Sequence, residues 1–254
     1  MGELSGKTAV ITGASRGIGA AAARELAIQG VSVVLAARTK AQVDQIADEI
    51  RNDGGAAEAI SCDVTSYEDV TAAINICLSS FGKLDILVNN AGAIEPIARL
   101  GDSDPEDWVR SAAINYKGVY YGLRAALPVM EKQGSGTIVN ISSGAAVSAL
   151  EGWSHYCSAK AGALMLTKCT HNEYADKGIC VVGLSPGTVA TDMQVKIKAS
   201  GVNPVSQLDT SDHIPAEWPA RAIAWLCTAA AAEYAGGDFR LSTDEARRKV
   251  GLIE

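Results

Sequence analysis

The chain is poor in the residues that build metal centres and disulfide frameworks. It has three histidines, His155, His171 and His213, and none falls in a metal-binding spacing such as HExxH. No metal site is expected. The six cysteines (Cys62, Cys77, Cys157, Cys169, Cys180 and Cys227) are scattered, with no CxxC pair. That usage fits reduced thiols in a cytoplasmic protein better than disulfides or a zinc site. No run of Lys or Arg offers a phosphate-backbone track, and the formal net charge is −7. Nucleic acid and acidic membrane surfaces are therefore poor partners. The opening "MGELSGKTAVITG" has neither the apolar stretch nor the cleavage pattern of a signal peptide. The longest apolar run, 222–232, is about half of the ~20 residues needed to span a bilayer.

What the chain does have is alternation. It is 254 residues long, 48% hydrophobic and 20% charged, as a single globular domain of this size requires. Short β-branched runs occupy 7–12, 31–36, 56–62, 84–89, 136–142 and 178–185. Several are apolar at consecutive positions, which marks strands buried on both faces. Helix-length amphipathic stretches, such as 17–29, 40–52 and 66–81, lie between them. This order predicts an α/β fold: one Rossmann-type, doubly wound parallel sheet with helices on both faces. The pattern loosens over about 190–215, read as a substrate loop with one short helix. A helix near 216–231 and a last strand near 238–241 complete a single domain spanning 1–254.

"VITGASRGIGAAAARELA" carries the chain from the first strand into an alanine-rich helix through Gly13, Gly17 and Gly19. Glycines there permit a sharp turn and let a pyrophosphate approach the helix N-terminus. The spacing is GxxxGxG rather than GxGxxG. The second strand ends in Ala37 and Arg38, with no acid to accept bonds from a ribose 2′-hydroxyl. A guanidinium at Arg38, helped by Arg16, suits a 2′-phosphate instead, so the expected cofactor is NADP(H).

"TGASRGIG" (12–19), "CDVT" (62–65), "NNAG" (89–92), Asn115, "NISS" (140–143), "YCSAK" (156–160) and "SPGTVATDM" (185–193) appear in one chain. In this order and spacing they resemble the short-chain dehydrogenase/reductases over about residues 5–240. The likeness is to the compact branch, not to the longer epimerase branch with its TGxxGxxG loop. The resemblance implies a cofactor cradle of Gly13, Ser15, Arg16, Gly17, Ile18 and Gly19. It implies Asp63 and Val64 beside the adenine, and Asn89, Ala91 and Gly92 along the groove. Pro186, Gly187, Val189 and Thr191 would hold the nicotinamide. Asn115, Ser143, Tyr156 and Lys160 match the catalytic tetrad, with Tyr156 and Lys160 also touching the cofactor. Ser143 fits the catalytic serine better than Ser142. One departure stands at the end: many relatives carry a "DGG" segment where this chain has "AGGDFRLSTDEARRKVGL".

The chemistry gives Tyr156 and Lys160 a purpose. Reducing a carbonyl needs a proton on oxygen as well as a hydride on carbon, and a phenol near its ordinary pKa of about 10 is a weak acid. Positions i and i+4 share a helix face. An ammonium ~4 Å away at an effective dielectric of ~20 is worth about 4 kcal/mol, or roughly three pKa units. The expectation is a phenol lowered toward working pH by Lys160. Ser143 would stabilise charge on the substrate oxygen, and Asn115 would support a proton relay behind Lys160.

The substrate is less legible. "GWSHYCSAKAG" (152–162) and "TDMQ" (191–194) resemble sepiapterin and benzil-type carbonyl reductases, which implies a ketone or diketone substrate. Trp153, Met193, Val195, Ile197 and Val202 are expected to wall an apolar pocket. His155 is read as a surface or pocket-rim residue and Cys157 as a packing residue. Alternatives within the family are a 3-oxoacyl-thioester reductase, whose carrier would need more basic surface than Lys196 and Lys198, and an alcohol dehydrogenase. A non-enzymatic NADP(H) sensor is disfavoured because all four tetrad residues are retained. The resemblance further implies a homodimer or homotetramer.

Overall fold

The computed structural model describes residues 2–254. Seven strands form one sheet: β1 (Thr8–Thr12), β2 (Ser32–Ala37), β3 (Ala57–Ser61), β4 (Ile86–Asn89), β5 (Gly136–Ile141), β6 (Ile179–Ser185) and β7 (Asp238–Arg240). Their order is β3-β2-β1-β4-β5-β6-β7, and every neighbouring pair is parallel. Each strand overlaps the apolar run that predicted it. The helices are α1 (Gly17–Ile28), α2 (Lys40–Asn52), α3 (Tyr67–Phe81), α4 (Pro105–Ala112), α5 (Gly118–Gln133), α6 (Ser154–Tyr174), α7 (Asp192–Ser200), α8 (Glu217–Leu226) and α9 (Asp244–Lys249).

Consecutive apolar residues have separate destinations. Ala9 and Ile11 of β1 join one buried cluster with α1, α2 and α8, while Val10 joins the other with α3, α5 and α6. Val33 and Leu35 of β2 divide from Val34 and Ala36 in the same way. A strand covered on both faces has no solvent side, so it needs no polar alternation. The alanines of α1 are buried at Ala20, Ala22 and Ala23, which brings that helix close to the sheet and to α8.

Local chemistry sets the helix starts. Ser66 accepts a bond from the Asp69 N–H at 3.2 Å to cap α3. Asp104 accepts from the N–H groups of Glu106 and Asp107 before Pro105 opens α4. Between α4 and α5 the helix widens: residues 113–117 form a π-turn, and the Gly118 N–H bonds back to the Ala113 carbonyl. Such turns re-aim side chains, and here the one re-aimed is Asn115.

The chain reverses its direction of travel across the sheet between β1 and β4. Helices leaving these neighbours pass to opposite faces, so a crevice opens at their carboxyl ends. The predicted 190–215 loop lies at that edge and contains α7, then 3-10 turns at Pro204–Gln207 and Thr210–Asp212. The helix expected over 216–231 ends earlier, at Leu226, and a 3-10 turn at Ala229–Tyr234 follows.

Helix α5 lies against β4 at Gly122, where a Cβ would run into the side-chain amide of Asn89. That amide is 3% exposed and its Nδ2 donates to Asn140 Oδ1, so it has nowhere to move. Gly122→Ala gains up to ~1 kcal/mol of helix propensity but overpacks a filled site by about 1–3 kcal/mol. The expected net result is a lowered Tm, read by thermal unfolding; a raised Tm would show that α5 can lift away freely.

Candidate active site

The crevice is a cleft of roughly 810 Å³ running from Arg38 past Gly13 and Gly92 to Tyr156 and Val205. Its cofactor-side wall begins with the glycine turn. Gly13 and Gly17 have φ of +65° and +54°. A Cβ on Gly13 would stand 2.8 Å from the Ala91 Cα, so only glycine permits this approach. Arg16 occupies the N-cap of α1 without a side-chain cap, and the first turn holds no acid. The uncapped N–H groups at this end suit an anionic group.

Ser15, Arg16, Gly17 and Ile18 line the cleft, as do Arg38, Asp63, Val64, Ala91 and Gly92. Pro186, Gly187, Val189 and Thr191 line its opposite wall. Gly19 is buried beneath the turn, packed on the Gly13 carbonyl, and supports the loop without lining it. Asn89 does not line the groove. Its side chain leaves β4 on the α5 side and is held by Asn140, whereas the next residue, Asn90, reaches the cleft. Asn90 Nδ2 donates to the carbonyls of Thr12 and Gly13 at 2.9 and 3.1 Å and braces the glycine turn. Successive strand residues face opposite sides, and the "NNAG" motif alone does not say which asparagine faces the cleft.

Asp63 is half-buried, which works against its charge. Bonds from the Thr65 N–H and hydroxyl, with Arg38 and Lys117 nearby, outweigh this and hold its carboxyl below the ordinary range. Arg38 is exposed at the end of β2 and forms no ion pair among the described residues. Arg16 donates to Asp192 at 3.0 Å, tying the glycine turn to the start of α7. At the other end of the cleft Lys196 of α7 pairs with Glu95.

The candidate catalytic residues gather beyond the end of β5 and on α6. Tyr156 and Lys160 sit in the buried face of α6, at 8% and 3% exposure. Lys160 Nζ donates to the Ile141 carbonyl at 2.6 Å and lies 5.6 Å from the Tyr156 ring centroid. Ser143 Oγ accepts from the Ala145 N–H at 3.2 Å, and its hydroxyl favours the ionised form of the Tyr156 phenol. Asn115 is fully buried behind them: Nδ2 donates to the Ala93 and Ser111 carbonyls at 2.7 and 2.9 Å, and Oδ1 accepts from the Ala93 N–H. It therefore supports the Gly92–Ala93 wall rather than lining the cleft.

Burial dominates the electrostatics. It raises the Tyr156 phenol above its ordinary value, with the Ser143 hydroxyl opposing. It lowers Lys160 to about 8, with Asp238 opposing. The expected lowering of the phenol by Lys160 is therefore not realised in the protein alone. The ammonium is bonded to Ile141, not to the phenol oxygen, and desolvation of the ring is the larger effect.

The Tyr156 end of the cleft is lined mainly by apolar side chains, with Glu95, Gln194 and Lys196 among them. Ile94, Ala145, Leu150, Trp153, Met193 and Ile197 line it, with Val205 at the back. Trp153 packs edge-on to Tyr156, with ring centroids 5.7 Å apart. Val195 instead points outward at 69% exposure, and Val202 packs beside Gly152; neither lines the cleft. A loop sequence without regular periodicity gave no means to separate these faces. His155 is not on the surface: it is 1% exposed, and its Nε2 bonds the Ile94 carbonyl at 2.9 Å. The segment after β4 folds over the start of α6 and covers the imidazole, whose pKa burial lowers. Cys157 packs with the apolar wall, as expected.

Comparison with known proteins agrees with this geometry. Residues 7–201 match the family model for short chain dehydrogenase. A 3-oxoacyl-[acyl-carrier-protein] reductase of Synechocystis sp. is 36% identical over 93% of this chain and 95% of its own. The 3beta-hydroxysteroid dehydrogenase 1 of Eggerthella lenta is 37% identical over 89% of this chain and 88% of its own. The structure of an NAD+-bound xylitol dehydrogenase superposes with a TM-score of 0.88 at 25% identity, covering 94% of this chain and 99% of that one. The glycine turn, the seven-stranded sheet and the matched relatives together establish that this chain belongs to the short-chain dehydrogenase family of oxidoreductases.

Proposed function

We propose that the protein is an NADP(H)-dependent carbonyl reductase acting on a small apolar ketone or diketone, with Tyr156 as the proton donor. The observation that carries this reading is the convergence of Ser143, Tyr156 and Lys160 at the apolar end of a cleft whose other end is a glycine turn. The dinucleotide fits that turn, because its pyrophosphate meets close-approach glycines and uncapped N–H groups. A bound nicotinamide supplies the hydride. Ser143 and Tyr156 hydrogen-bond the carbonyl oxygen, and Tyr156 gives it a proton as the carbonyl is reduced. Lys160 stabilises the phenolate that remains and returns to its resting bond with the Ile141 carbonyl.

The preference for the phosphorylated cofactor rests on Arg38. It stands at the cleft rim with no ion pair among the described residues, and Ala37 leaves no acid to repel a 2′-phosphate. Arg16 is the second candidate, but it must first release Asp192.

The apolar wall supports a compact, uncharged substrate. The Synechocystis relative favours a second reading, 3-oxoacyl-thioester reduction. Against a carrier-protein partner, Lys196 is engaged by Glu95, and Lys198 donates to the Leu208 carbonyl at 3.1 Å. A cytoplasmic homo-oligomer completes the proposal. Val109 of α4, Tyr116 of the π-turn, Tyr120 of α5 and Met165 of α6 are exposed apolar side chains on neighbouring elements, suited to a second copy.

Four outcomes are expected. In a panel of α-diketones, aryl ketones and a 3-oxoacyl thioester, NADPH oxidation should be fastest with a diketone or ketone; Tyr156→Phe should cut kcat about 10²–10⁴-fold while NADPH still binds. Retained turnover in that variant would remove Tyr156 from the chemistry. Arg38→Asp should raise the KM for NADPH at least about tenfold relative to NADH, and an unchanged ratio would place the phosphate elsewhere. Light scattering should give a dimer or tetramer that Tyr120→Glu dissociates; a monomeric native protein would overturn the assembly.

A further inference from the structure

Beneath the candidate catalytic residues a line of polar positions crosses the sheet. Asn89 pairs in register with Asn140, Asn140 with Gly183, and Gly183 with Asp238. Register partners in a parallel sheet face the same side, so these four share one face of β4 to β7. Asn140 is bonded on both sides, accepting from Asn89 and donating to Thr167 Oγ1 of α6 at 2.9 Å. Asp238 ends the row. Its side chain is 10% exposed, and Oδ2 accepts from Ser185 Oγ at 2.8 Å.

Its other oxygen is unexplained by the fold. Oδ1 is buried without a hydrogen-bond partner, and so is Ser142 Oγ. A Cβ on Gly183 would stand 2.9 Å from Oδ1, so the carboxyl leans over the glycine toward the centre of the sheet. Ser142 lies on that side too, two residues beyond Asn140, and its backbone N–H continues the ladder to the Leu184 carbonyl at 2.8 Å. One step beyond the Ile141–Leu184 pair it stands opposite Ser185, which holds Asp238, and its hydroxyl favours the ionised carboxyl.

Ser142 is the residue between two attachment points. The carbonyl before it, on Ile141, receives Lys160 Nζ; the hydroxyl after it, on Ser143, lines the cleft with Tyr156. We propose that Asp238 is a positioning residue for the Lys160–Tyr156 pair: anchored on β7 by Ser185, its buried carboxyl steadies the 141–143 turn through Ser142 and provides the counter-charge of the Lys160 ammonium. This rests on the assignment of Tyr156 and Lys160 made above.

The surrounding charges are few. Arg240 of β7 lies 3.9 Å from Asp238, Lys168 of α6 acts on the same carboxyl, and His171 of α6 packs on Gly236. Lys160 faces Tyr156 on its own helix, and Asp238 is the acid that opposes its loss of charge. Burial raises the Asp238 pKa, against the lowering effect of Ser185, Ser142, Arg240 and Lys168. An ionised Asp238 favours the ammonium and raises the Lys160 pKa, so removing the charge lowers it further.

The test begins with NMR titration of the lysine side chains in the cofactor-free enzyme, with Lys160 assigned by Lys160→Met. Asp238→Asn keeps the size and the bond from Ser185 but removes the charge. Its Lys160 should titrate about one unit lower, and Ser142→Ala should move it the same way by less. The alkaline limb of kcat/KM for a reduced diketone should move with it, while NADPH affinity stays unchanged. An unmoved Lys160 titration in folded D238N overturns the proposal; should D238N fail to fold, an unmoved titration in S142A does so. Failure of the parent reading is separate, because it shows as Tyr156→Phe retaining turnover whatever Lys160 does.

Discussion

The arrangement depends on one bond, from the buried Lys160 ammonium to the Ile141 carbonyl. A charge at 3% exposure is tolerated only with close polar partners, since an unpaired buried ion costs several kcal/mol. The carbonyl is available because the pairing of β4 with β5 ends at Asn89–Asn140, one residue before Ile141. The same strand end places Ser143 beside Tyr156, one helical turn from Lys160. The strand end, the helix face and the buried charge are thus parts of one constraint. Moving α6 by one residue along its axis would break all three.

The sheet supplies that constraint with a rigid floor. Asn89, Asn140 and Thr167 form a hydrogen-bonded line that fixes β4, β5 and α6 relative to each other. Buried polar groups joined in this way have few alternative arrangements, because any shift leaves a donor or acceptor unpaired. Asn115 does the same, joining the π-turn to the Gly92–Ala93 wall with two bonds and to α4 with a third. The regular α-helix is interrupted just where its side chain must reach a loop carbonyl.

Much of this was legible in the sequence, for identifiable reasons. Consecutive β-branched residues marked the strands, because a strand buried on both faces leaves that pattern and few others. Gly13 and Gly17 marked the turn because positive φ restricts the residue type. The Tyr156–Lys160 spacing was readable because a helix puts i and i+4 together. What the sequence did not disclose were facing directions and depth. Asn90, not Asn89, reaches the cleft; Val195 points outward although Met193 and Ile197 point in; His155 is enclosed by a segment sixty residues away in the chain. The phenol's environment is hidden for the same reason: helical spacing brings Tyr156 near Lys160, while the burial that raises its pKa comes from loops that spacing does not describe. Asp238 lay in a tail noted only for lacking a familiar motif.

Helix α7 shows how two weak contacts can matter at such a site. It is strapped across the cleft by Arg16–Asp192 at one end and Lys196–Glu95 at the other, both between exposed side chains. Exposed pairs of this kind contribute about 0–1 kcal/mol each, too little to hold a helix shut against a bound ligand. They are strong enough to bias a short helix whose hydrophobic anchor is chiefly Ile197, its one fully buried residue. Arg16 belongs to the glycine turn and is also a candidate for the 2′-phosphate. Any bond it makes to a phosphate is reduced by the pair with Asp192 it gives up, whereas Arg38 gives up no such pair. Of the two arginines, Arg38 is therefore the freer to meet an anion, and Arg16 ties the glycine turn to the start of α7.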